Sequence, residues 1–284
     1  MQTARTIAQL RQRLAAARRA GHRVGFVPTM GNLHEGHYSL LRLAREHADC
    51  VVASVFVNPT QFGPNEDFAR YPRSPDADAA GLQEAGCDLL FLPSVEEGYP
   101  YGVEQCVKIS VPVVGATLEG ALRPGHFDGV ATVVGKLFNL VQADVAVFGQ
   151  KDYQQLLVIR RLVRDLAFPL EIVAAPIVRE AHGLAMSSRN QYLDAATRAK
   201  AGVIHATLLA MAEGVRNGDS HAAVESAAAA ALAAAGLSPD YAVLRRAADL
   251  SQPDPGERTG LVALVAVRAG STRLIDNTLI QPQL

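Results

Sequence analysis

Charge of one sign, cysteine and long apolar runs are all scarce in this chain, and each shortage excludes a class of protein. The 27 Lys and Arg residues nearly balance the 28 Asp and Glu residues, so the formal net charge is −1. This balance argues against a nucleic-acid binder that relies on a large global basic excess, although it does not exclude a small basic site. No stretch approaches the roughly 20 apolar residues that cross a bilayer, so we expect no membrane span.

The three cysteines, Cys50, Cys87 and Cys106, show no CxxC or other metal-binding spacing, so a zinc ribbon has no support. A small, odd number of cysteines is typical of a reducing compartment. Cys50 and Cys87 each open an apolar run, which predicts that they are small core residues.

The N-terminal region is rich in arginine but lacks the continuous apolar block of an ordinary signal peptide. Its composition loosely resembles a transit peptide. A first helix is favoured instead, because Ile7, Leu10, Leu14 and Ala17 fall on one helical face and a strand follows almost at once.

Apolar residues are abundant: 49% of the 284 residues are hydrophobic and 19% are charged. A chain of this length and composition can bury a substantial core, which excludes intrinsic disorder as its main state. At roughly 150 residues per domain, the length predicts about two domains.

Short apolar runs alternate with helical patterns through the first 176 residues. Near-continuous apolar runs indicate strands that are buried on both faces. The predicted strands are Val24–Val27, Cys50–Val57, Asp88–Leu92, Asp144–Phe148 and Leu170–Ala174, and the predicted helices are Ser39–His47, Asp76–Ala85, Phe127–Gln142 and Gln154–Leu166. This alternation predicts an α/β fold: a Rossmann-like parallel sheet with helices on both faces and a ligand site at the carboxyl ends of its strands.

Two segments fit the alternation less well. Phe62–Pro75 holds three prolines, one glycine and several charges and is predicted to be a long loop and a candidate lid. Cys106–Val111 is a candidate extra strand.

After Pro176 the pattern changes to a smaller α+β domain without internal repeats. The predicted elements there are the helices Ala195–Glu213 and Ala222–Ala235 and the strands Asp240–Arg245, Leu261–Arg268 and Arg273–Asp276. The predicted domains are therefore residues 1–176, which are Rossmann-like, and residues 177–284.

Two histidines, three residues apart, lie in the stretch PTMGNLHEGH (Pro28–His37), which joins the first predicted strand to a helix. The stretch matches neither GxxxxGK[ST] nor GxGxxG, and HExxH places its histidines four apart inside a helix. Phosphate chemistry is favoured over metal ligation, because imidazoles and N–H groups at a helix N-terminus suit a developing anion. Two incidental loop histidines remain the plain alternative.

A second polar cluster, FGQKDYQQ (Phe148–Gln155), follows another apolar strand. Lys151 can neutralise a phosphate as a compact cation, and Asp152 can orient that cation or a hydroxyl. Gln155 lies one helical turn beyond Lys151 and shares its face. The alternative is a solvated helix start with an aspartate cap.

Two further clusters complete the set. In MSSRN (Met186–Asn190), small hydroxyls followed by Arg189 suit charge-assisted bonds to phosphate, although an ordinary loop and helix cap would look the same. In FVNPTQFG (Phe56–Gly63), the neutral amide of Gln61 suits a hydroxylated substrate better than an inorganic anion. All four clusters fall at or just after carboxyl ends of predicted strands.

These stretches, together with LRPGHFDGVATVV (Leu122–Val134), resemble the pantoate–β-alanine ligase (pantothenate synthetase) family of the cytidylyltransferase-like nucleotidyltransferases. They occur in the order typical of that family, from the first strand to about Leu193. His34–His37 matches its His-x-Gly-His signature, and Met186–Arg189 matches its KMSKS-like loop. The part of the chain beyond this point matches only in length and texture.

The resemblance implies two half-reactions in a cytoplasmic homodimer. Pantoate and ATP, with Mg²⁺, would give pantoyl adenylate and pyrophosphate, and the amine of β-alanine would then displace AMP to give pantothenate. We expect no nucleic-acid partner, because the net charge disfavours a polyanion, and the sequence assigns no residue as a metal ligand.

The resemblance also assigns residues. His37 would be the proton donor, and His34, Lys151, Ser188 and Arg189 would stabilise the charge on the leaving pyrophosphate. Gln61 and Gln155 would bind pantoate, Gln61 would also lie near β-alanine, and Arg123 is a further auxiliary cation. The implied ATP-binding residues are Met30, Gly31, Asn32, Leu33, His34, Glu35, Gly36, His37, Gly149, Gln150, Lys151, Asp152, Val178, Met186, Ser187, Ser188 and Arg189.

Other functions remain to be weighed against this one. A cofactor adenylyltransferase would use the same histidines but transfer AMP to a phosphate, and the paired glutamines argue against it. A tRNA synthetase is disfavoured because the chain is short for an added anticodon domain and has no basic excess. A non-catalytic nucleotide-binding regulator would need the same cations and histidines for affinity alone, so turnover distinguishes it.

Overall fold

The computed structural model of the chain describes residues 1–63, 68 and 71–281. Its residues form two compact units. Unit 1 consists of Met1–Gln150 and Gln154–Pro176, and unit 2 consists of Lys151–Tyr153 and Ile177–Leu284. Lys151 and Asp152 therefore belong to the same unit as the Met186–Arg189 loop.

Unit 1 is built on a parallel sheet of six strands within the described residues, in the order β1-β4-β3-β2-β5-β6. The strands are β1 (Gln2–Ala4), β2 (Val24–Thr29), β3 (Cys50–Val55), β4 (Leu89–Phe91), β5 (Val145–Gly149) and β6 (Glu171–Ala175). Helices α1 (Ile7–Arg19), α2 (Glu35–His47), α3 (Pro75–Glu84), α4 (Val95–Gly98), α5 (Glu119–Leu122), α6 (His126–Val141) and α7 (Tyr153–Asp165) flank it.

The strand order places the ligand-binding edge of this sheet. From β2, the chain proceeds outward through β3 and β4 in one direction and through β5 and β6 in the other. Open α/β sheets bind ligands at such a switch point, outside the carboxyl ends of the strands. The loops after β2 and β5 leave the sheet side by side there, because those two strands are direct neighbours.

Unit 2 contains an antiparallel sheet, in the order β7-β8-β9, of β7 (Ser238–Arg246), β8 (Leu261–Ala269) and β9 (Thr272–Ile280). Helices α8 (Ala195–Lys200), α9 (Val203–Asn217) and α10 (His221–Ala234) accompany it. Leu208 and Leu232 of the helices and Leu244 and Val265 of the strands share one buried core. The predicted class, a parallel α/β sheet with a smaller α+β part, is confirmed.

Three predictions about elements are wrong. Cys106–Val111 forms no strand, because the backbone of this segment bonds elsewhere: Ile109 N donates to Thr132 Oγ1 on α6 at 2.8 Å. The predicted helix Ala195–Glu213 is two helices, α8 and α9. The break lies at Gly202, where the chain passes so close to the His182 carbonyl that a Cβ would lie 2.4 Å from its oxygen.

The third error is the start of α2, predicted at Ser39. His34 caps the helix, which begins at Glu35. The strand β1 was not predicted, because three residues with two polar side chains give no apolar run. The candidate lid Phe62–Pro75 includes residues 64–67 and 69–70, which lie outside the described residues, and α3 begins at its last residue.

The predicted burial of Cys50 and Cys87 is confirmed, and burial raises the pKa of the Cys87 thiol to about 12. Cys106 is half-buried, and none of the three forms a disulfide. Over the part of the chain that the structure describes, no helix is both long and apolar enough to cross a membrane.

Candidate active site

The loop after β2 is a tight turn held by one buried carboxylate. Gly31 and Asn32 both adopt left-handed backbone conformations, with φ of +82° and +52°. Asp78, in the first turn of α3 and only 3% exposed, accepts hydrogen bonds from Asn32 N at 2.9 Å and Leu33 N at 2.8 Å. A Cβ on Gly31 would lie 2.8 Å from Asp78 Oδ2, so both the turn and its anchor require glycine there.

This turn delivers two histidines to the N-terminus of α2. His34 is the N-cap, and its Nδ1 accepts from Gly36 N at 3.1 Å. His37, in the first turn, accepts from His34 N through Nδ1 at 3.3 Å. The ring centroids lie 4.2 Å apart. In both rings Nδ1 thus accepts a backbone hydrogen bond, which assigns the ring N–H to Nε2.

The N-terminus of α2 is therefore suited to an anion in two ways. The positive end of the helix dipole favours negative charge, while the N–H groups of Gly36 and His37 already bond His34. The two imidazoles add ring N–H groups to this environment. Glu35, in the same turn, is occupied by an ion pair with Arg42 on the surface.

Gln61 lies at the end of the short 3-10 helix Pro59–Gln61 and is 7% exposed. Its Oε1 accepts from Asn58 Nδ2 at 3.1 Å, and its Nε2 donates to Met30 Sδ at 3.0 Å, which links it to the loop after β2. Asn58 is held in turn by Tyr99, whose hydroxyl donates to Asn58 Oδ1 at 2.7 Å. Sequence reasoning missed Asn58, although an amide just before Pro59 at a strand end was the available signal.

Helix α6 contacts the backbone of Thr60 and Gln61. Gly129 brings the helix against Thr60, where a Cβ would lie 2.2 Å from the Thr60 carbonyl oxygen. His126, at the start of α6, bonds the Gln61 carbonyl through Nδ1 at 2.8 Å, and Arg123 Nη1 lies 3.1 Å from its Nε2. Arg123 thus supports the backbone of Gln61 through His126.

A cavity of about 240 Å³ in unit 1 opens at the carboxyl ends of β2, β3 and β4. Its apolar wall includes Met30, Val55 and Phe56, and its polar lining includes Arg73 and Asp78. An apolar wall beside a few polar groups is typical of a small-molecule site.

The two adjacent glutamines at the start of α7 have different roles. Gln154 is buried, donates through Nε2 to the carbonyls of Val114 and Thr117 at 2.6 and 2.7 Å, and accepts from Glu119 N at 3.1 Å. It clamps the segment before α5. Gln155 is half-buried and is the one of the pair that the sequence assigned to substrate.

Unit 2 holds the second group of predicted residues. The Lys151 side chain is 20% exposed, and its Nζ lies 3.8 Å from Asp152 Oδ1. Met186 N donates to the Val178 carbonyl at 2.9 Å, so these two predicted residues face each other across a short hairpin. Ser187 then caps the 3-10 helix Ser188–Tyr192, where its Oγ accepts from Arg189 N at 3.3 Å.

The structure thus brings Met30–His37 together with Gln61 in unit 1, and Val178 together with Met186–Arg189 in unit 2. Gly149 ends β5, and Gln150 N bonds the Ala175 carbonyl of β6 at 2.9 Å. The assignment of these residues to substrates stays a prediction.

Comparison with known proteins agrees with the resemblance. The family model described as pantoate-beta-alanine ligase matches residues 2–279. Pantothenate synthetases of Stenotrophomonas maltophilia (strain K279a) and Xylella fastidiosa (strain 9a5c) are each 59% identical, over 98% of this chain and 99% of theirs.

Solved structures are equally similar in fold. Pantothenate synthetase from Thermus thermophilus superimposes with a TM-score of 0.92 at 51% identity, over 99% of this chain and 100% of that one. Pantoate-beta-alanine ligase from Francisella tularensis, complexed with beta-gamma ATP and beta-alanine, gives 0.80 at 32% identity, over 100% and 99%. With a family model matched over nearly its whole length, this chain belongs to the pantoate–β-alanine ligase family.

Proposed function

We propose that this protein condenses pantoate with β-alanine in an ATP-dependent reaction, through a pantoyl-adenylate intermediate, and releases AMP and pyrophosphate. Its membership of the family supports this activity, as does the complex of the Francisella relative. The observation on this chain that carries the proposal is the N-terminus of α2, where two histidines with ring centroids 4.2 Å apart lie at the positive end of the helix dipole, a setting that favours a phosphate.

The first half-reaction activates the pantoate carboxylate, because a carboxylate is a poor electrophile. A pantoate carboxylate oxygen attacks the α-phosphorus of ATP, the bond from that phosphorus to the bridging oxygen breaks, and pyrophosphate leaves. Negative charge builds on the bridging oxygen. His37 enters the step protonated, gives its proton to the leaving group and becomes neutral, and His34, Lys151, Ser188 and Arg189 stabilise the charge on that group.

The second half-reaction forms the amide. The amine of β-alanine attacks the acyl carbon of pantoyl adenylate, AMP leaves with the electrons of the broken C–O bond, and the amine nitrogen gives up a proton. Holding the reacting groups together supplies much of the acceleration in both steps.

The remaining ATP contacts come from the predicted stretches, in part through backbone groups. These residues are Met30, Gly31, Asn32, Leu33, Glu35, Gly36, Gly149, Gln150, Asp152, Val178, Met186 and Ser187. The left-handed Gly31–Asn32 turn supports this role, because it brings the backbone of that loop to the edge of the sheet without a side chain at Gly31.

Gln61 and Gln155 bind pantoate, and Gln61 also contacts β-alanine. Each amide nitrogen carries two hydrogens, so Gln61 keeps a second N–H for a hydroxyl or carboxylate while it donates to the weak acceptor Met30 Sδ. Met30, in the wall of the apolar cavity, suits the geminal methyl groups of pantoate.

Mg²⁺ enters this reaction with ATP. Within the residues that the structure describes, no group of three or more His, Cys, Asp or Glu side chains could hold a metal ion. In the proposed reaction, the Mg²⁺ ion takes its ligands from phosphate oxygens and water, as it commonly does in nucleotide sites. When bound, the ion neutralises part of the triphosphate charge.

We also propose that the protein is a cytoplasmic homodimer, as the resemblance implies. Its three cysteines without a disulfide agree with a reducing compartment. Size-exclusion chromatography with light scattering tests the dimer, and a monomer at micromolar concentration would contradict it.

Pyrophosphate exchange tests the adenylate mechanism. Labelled pyrophosphate should enter ATP in the presence of pantoate and Mg²⁺ and in the absence of β-alanine. Lys151→Ala should lower this exchange by roughly 10²–10³-fold, the scale of one electrostatic stabiliser. Lys200→Ala, an exposed lysine on α8, is the matched control. Exchange that does not need pantoate, or no exchange by folded wild type, would overturn the proposed function.

A further inference from the structure

Strand β9 carries two buried polar side chains whose bonds leave the sheet. Asp276 is 3% exposed and Asn277 is 1% exposed. Asn277 Nδ2 donates to the main-chain carbonyl of Lys151 at 2.9 Å, across 126 positions of sequence. The amide thus fixes the backbone from which the Lys151 side chain extends.

Asp276 holds the other cationic segment of the same unit. It accepts a two-pronged bond from Arg179, with Nη1 2.6 Å from Oδ2 and Nη2 3.0 Å from Oδ1. Arg179 pairs with Ala185 across the hairpin that leads into Met186–Arg189, and its Nη1 also bonds the Gly183 carbonyl at 3.1 Å. Asp276 therefore holds the hairpin through Arg179, which itself bonds the Gly183 carbonyl.

The Asp276 side chain also bonds the backbone of its neighbour. Asn277 N donates to Asp276 Oδ1 at 2.8 Å. β9 is one of the two edge strands of its three-stranded sheet, so loops can approach its outer edge. Burial of a carboxylate or an amide side chain costs free energy unless that side chain is hydrogen-bonded. The Asn277 amide bonds the Lys151 carbonyl, and the Asp276 carboxylate bonds Arg179 of the hairpin.

We propose that Asp276 and Asn277 are positioning residues for the adenylation step: Asn277 sets the place of Lys151, and Asp276, through Arg179, sets the place of the Met186–Arg189 loop. This inference rests on the proposed function, in which both segments act on the phosphates. A misplacement of about 1 Å can lower a rate by roughly 10²-fold, which is how a bond to a backbone carbonyl affects chemistry.

A double-mutant cycle with Lys151 tests the Asn277 half. Asn277→Leu keeps the branching of the side chain, with methyl groups in place of the amide oxygen and nitrogen, and removes the donor. Pantoate-dependent pyrophosphate exchange should fall by about 10–10²-fold in kcat, with the KM for pantoate unchanged. In a Lys151→Ala background the same substitution should lower kcat by less than about 3-fold, because its effect passes through Lys151. Equal losses in the two backgrounds, or full activity of folded Asn277→Leu, would overturn the proposal.

Two controls separate positioning from general damage. Thr272→Val changes a buried polar residue at the far end of β9, and it should lower the melting temperature without a change in kcat. If Asn277→Leu does not fold, Asn277→Asp serves in the same cycle, because its carboxylate keeps the shape but cannot donate to the Lys151 carbonyl.

The Asp276 half has its own cycle. Arg179→Lys keeps the charge but loses the two-pronged geometry, so it should lower kcat by about 10-fold in wild type and by much less in an Arg189→Ala background. Additive losses would remove Asp276 and Arg179 from the positioning role.

A crystal structure of Asn277→Leu makes the test independent of activity. The main chain at Lys151 should shift by about 1 Å. An unmoved Lys151 would overturn the positioning role even in an active enzyme. Inactive wild type with a shifted Lys151 in the variant would instead contradict the proposed function alone.

Discussion

Two structural requirements favour glycine at position 31. It needs a left-handed backbone, and it needs space beside the carboxylate that anchors the histidine loop. Gly86 has nearly the same φ, +86° against +82°, but nothing lies within 4 Å of its virtual Cβ. Comparison of Gly31 with Gly86 therefore separates the effect of backbone strain from the effect of steric crowding around a Cβ atom.

Gly31→Ala should lower the free energy of unfolding by about 1–3 kcal/mol more than Gly86→Ala does. Both substitutions strain the backbone, but only at Gly31 must Asp78 move or release the loop. Urea denaturation of the two variants measures the difference. Equal losses would mean that the Asp78 contact adds nothing to the requirement for glycine.

Gln154 and Gln155 provide a second contrast, between a structural amide and an amide that we propose binds pantoate. Gln154→Ala should lower the free energy of unfolding by about 1–3 kcal/mol, because it leaves buried carbonyls and Glu119 N without their partner. Gln155→Ala should leave stability nearly unchanged and weaken pantoate binding much more than ATP binding. Calorimetric titration of both ligands checks this, and equal weakening would contradict the assignment of Gln155.

At the scale of elements, burial made the strands of unit 1 predictable. All six residues of β3 are buried, and a strand covered on both faces appears in the sequence as an unbroken apolar run. Element ends were less predictable, because they depend on caps. α2 begins four residues before its predicted start, since the cap is a histidine rather than the usual Ser, Thr, Asp or Asn.

Glu180 shows how one element is tied to another in unit 2. Its carboxylate accepts from Arg198 on α8, at 2.7 Å from Nε and 2.8 Å from Nη2, and from Asn190 Nδ2 at 2.7 Å. Asn190 belongs to the 3-10 helix that carries Arg189. The hydrogen bonds from Arg198, with that from Asn190, hold the pKa of the Glu180 carboxyl below its usual range.

This lowered pKa gives the stability a defined pH dependence. A carboxyl whose pKa is lower in the folded state contributes stability above its unfolded pKa of about 4.3, and that contribution is lost as pH falls through the folded pKa. Glu180→Gln should therefore be less stable than wild type by about 1 kcal/mol at neutral pH, a modest value because Arg198 is 44% exposed. The gap should close on acidification.

Urea denaturation of wild type and Glu180→Gln across the neutral to acid range measures that gap. Glu213→Gln, at an exposed position of α9, is the matched control and should show little difference at any pH. A gap that stays constant down to acid pH would mean that the charge of Glu180 does not support the loop.

At the scale of the whole molecule, the sequence suggests candidate site residues where they cluster along the chain, and it gives no sign of the distant residues that hold them. The histidines, Lys151 and Met186–Arg189 stand in recognisable stretches at strand ends. Asp78 lies 46 positions from the Asn32 amide it binds, and Asn277 lies 126 from Lys151. No local spacing predicts such pairs, because they depend on how the chain returns in three dimensions.

The proposed entry of Mg²⁺ together with ATP leads to a last prediction, about the whole protein. If Mg²⁺ enters only with ATP, dialysis against EDTA should leave the melting temperature of the ligand-free protein unchanged, and Mg²⁺ alone should not raise it. Mg²⁺ with ATP should stabilise the protein, by about 2.7 kcal/mol at a concentration 100-fold above Kd. Differential scanning calorimetry distinguishes the cases, with Ca²⁺ alone as the control for general ionic effects. A rise with Mg²⁺ alone as large as that with Mg²⁺ and ATP together would instead indicate a resident ion bound by the protein itself, because a ligand stabilises only the state that already contains its site.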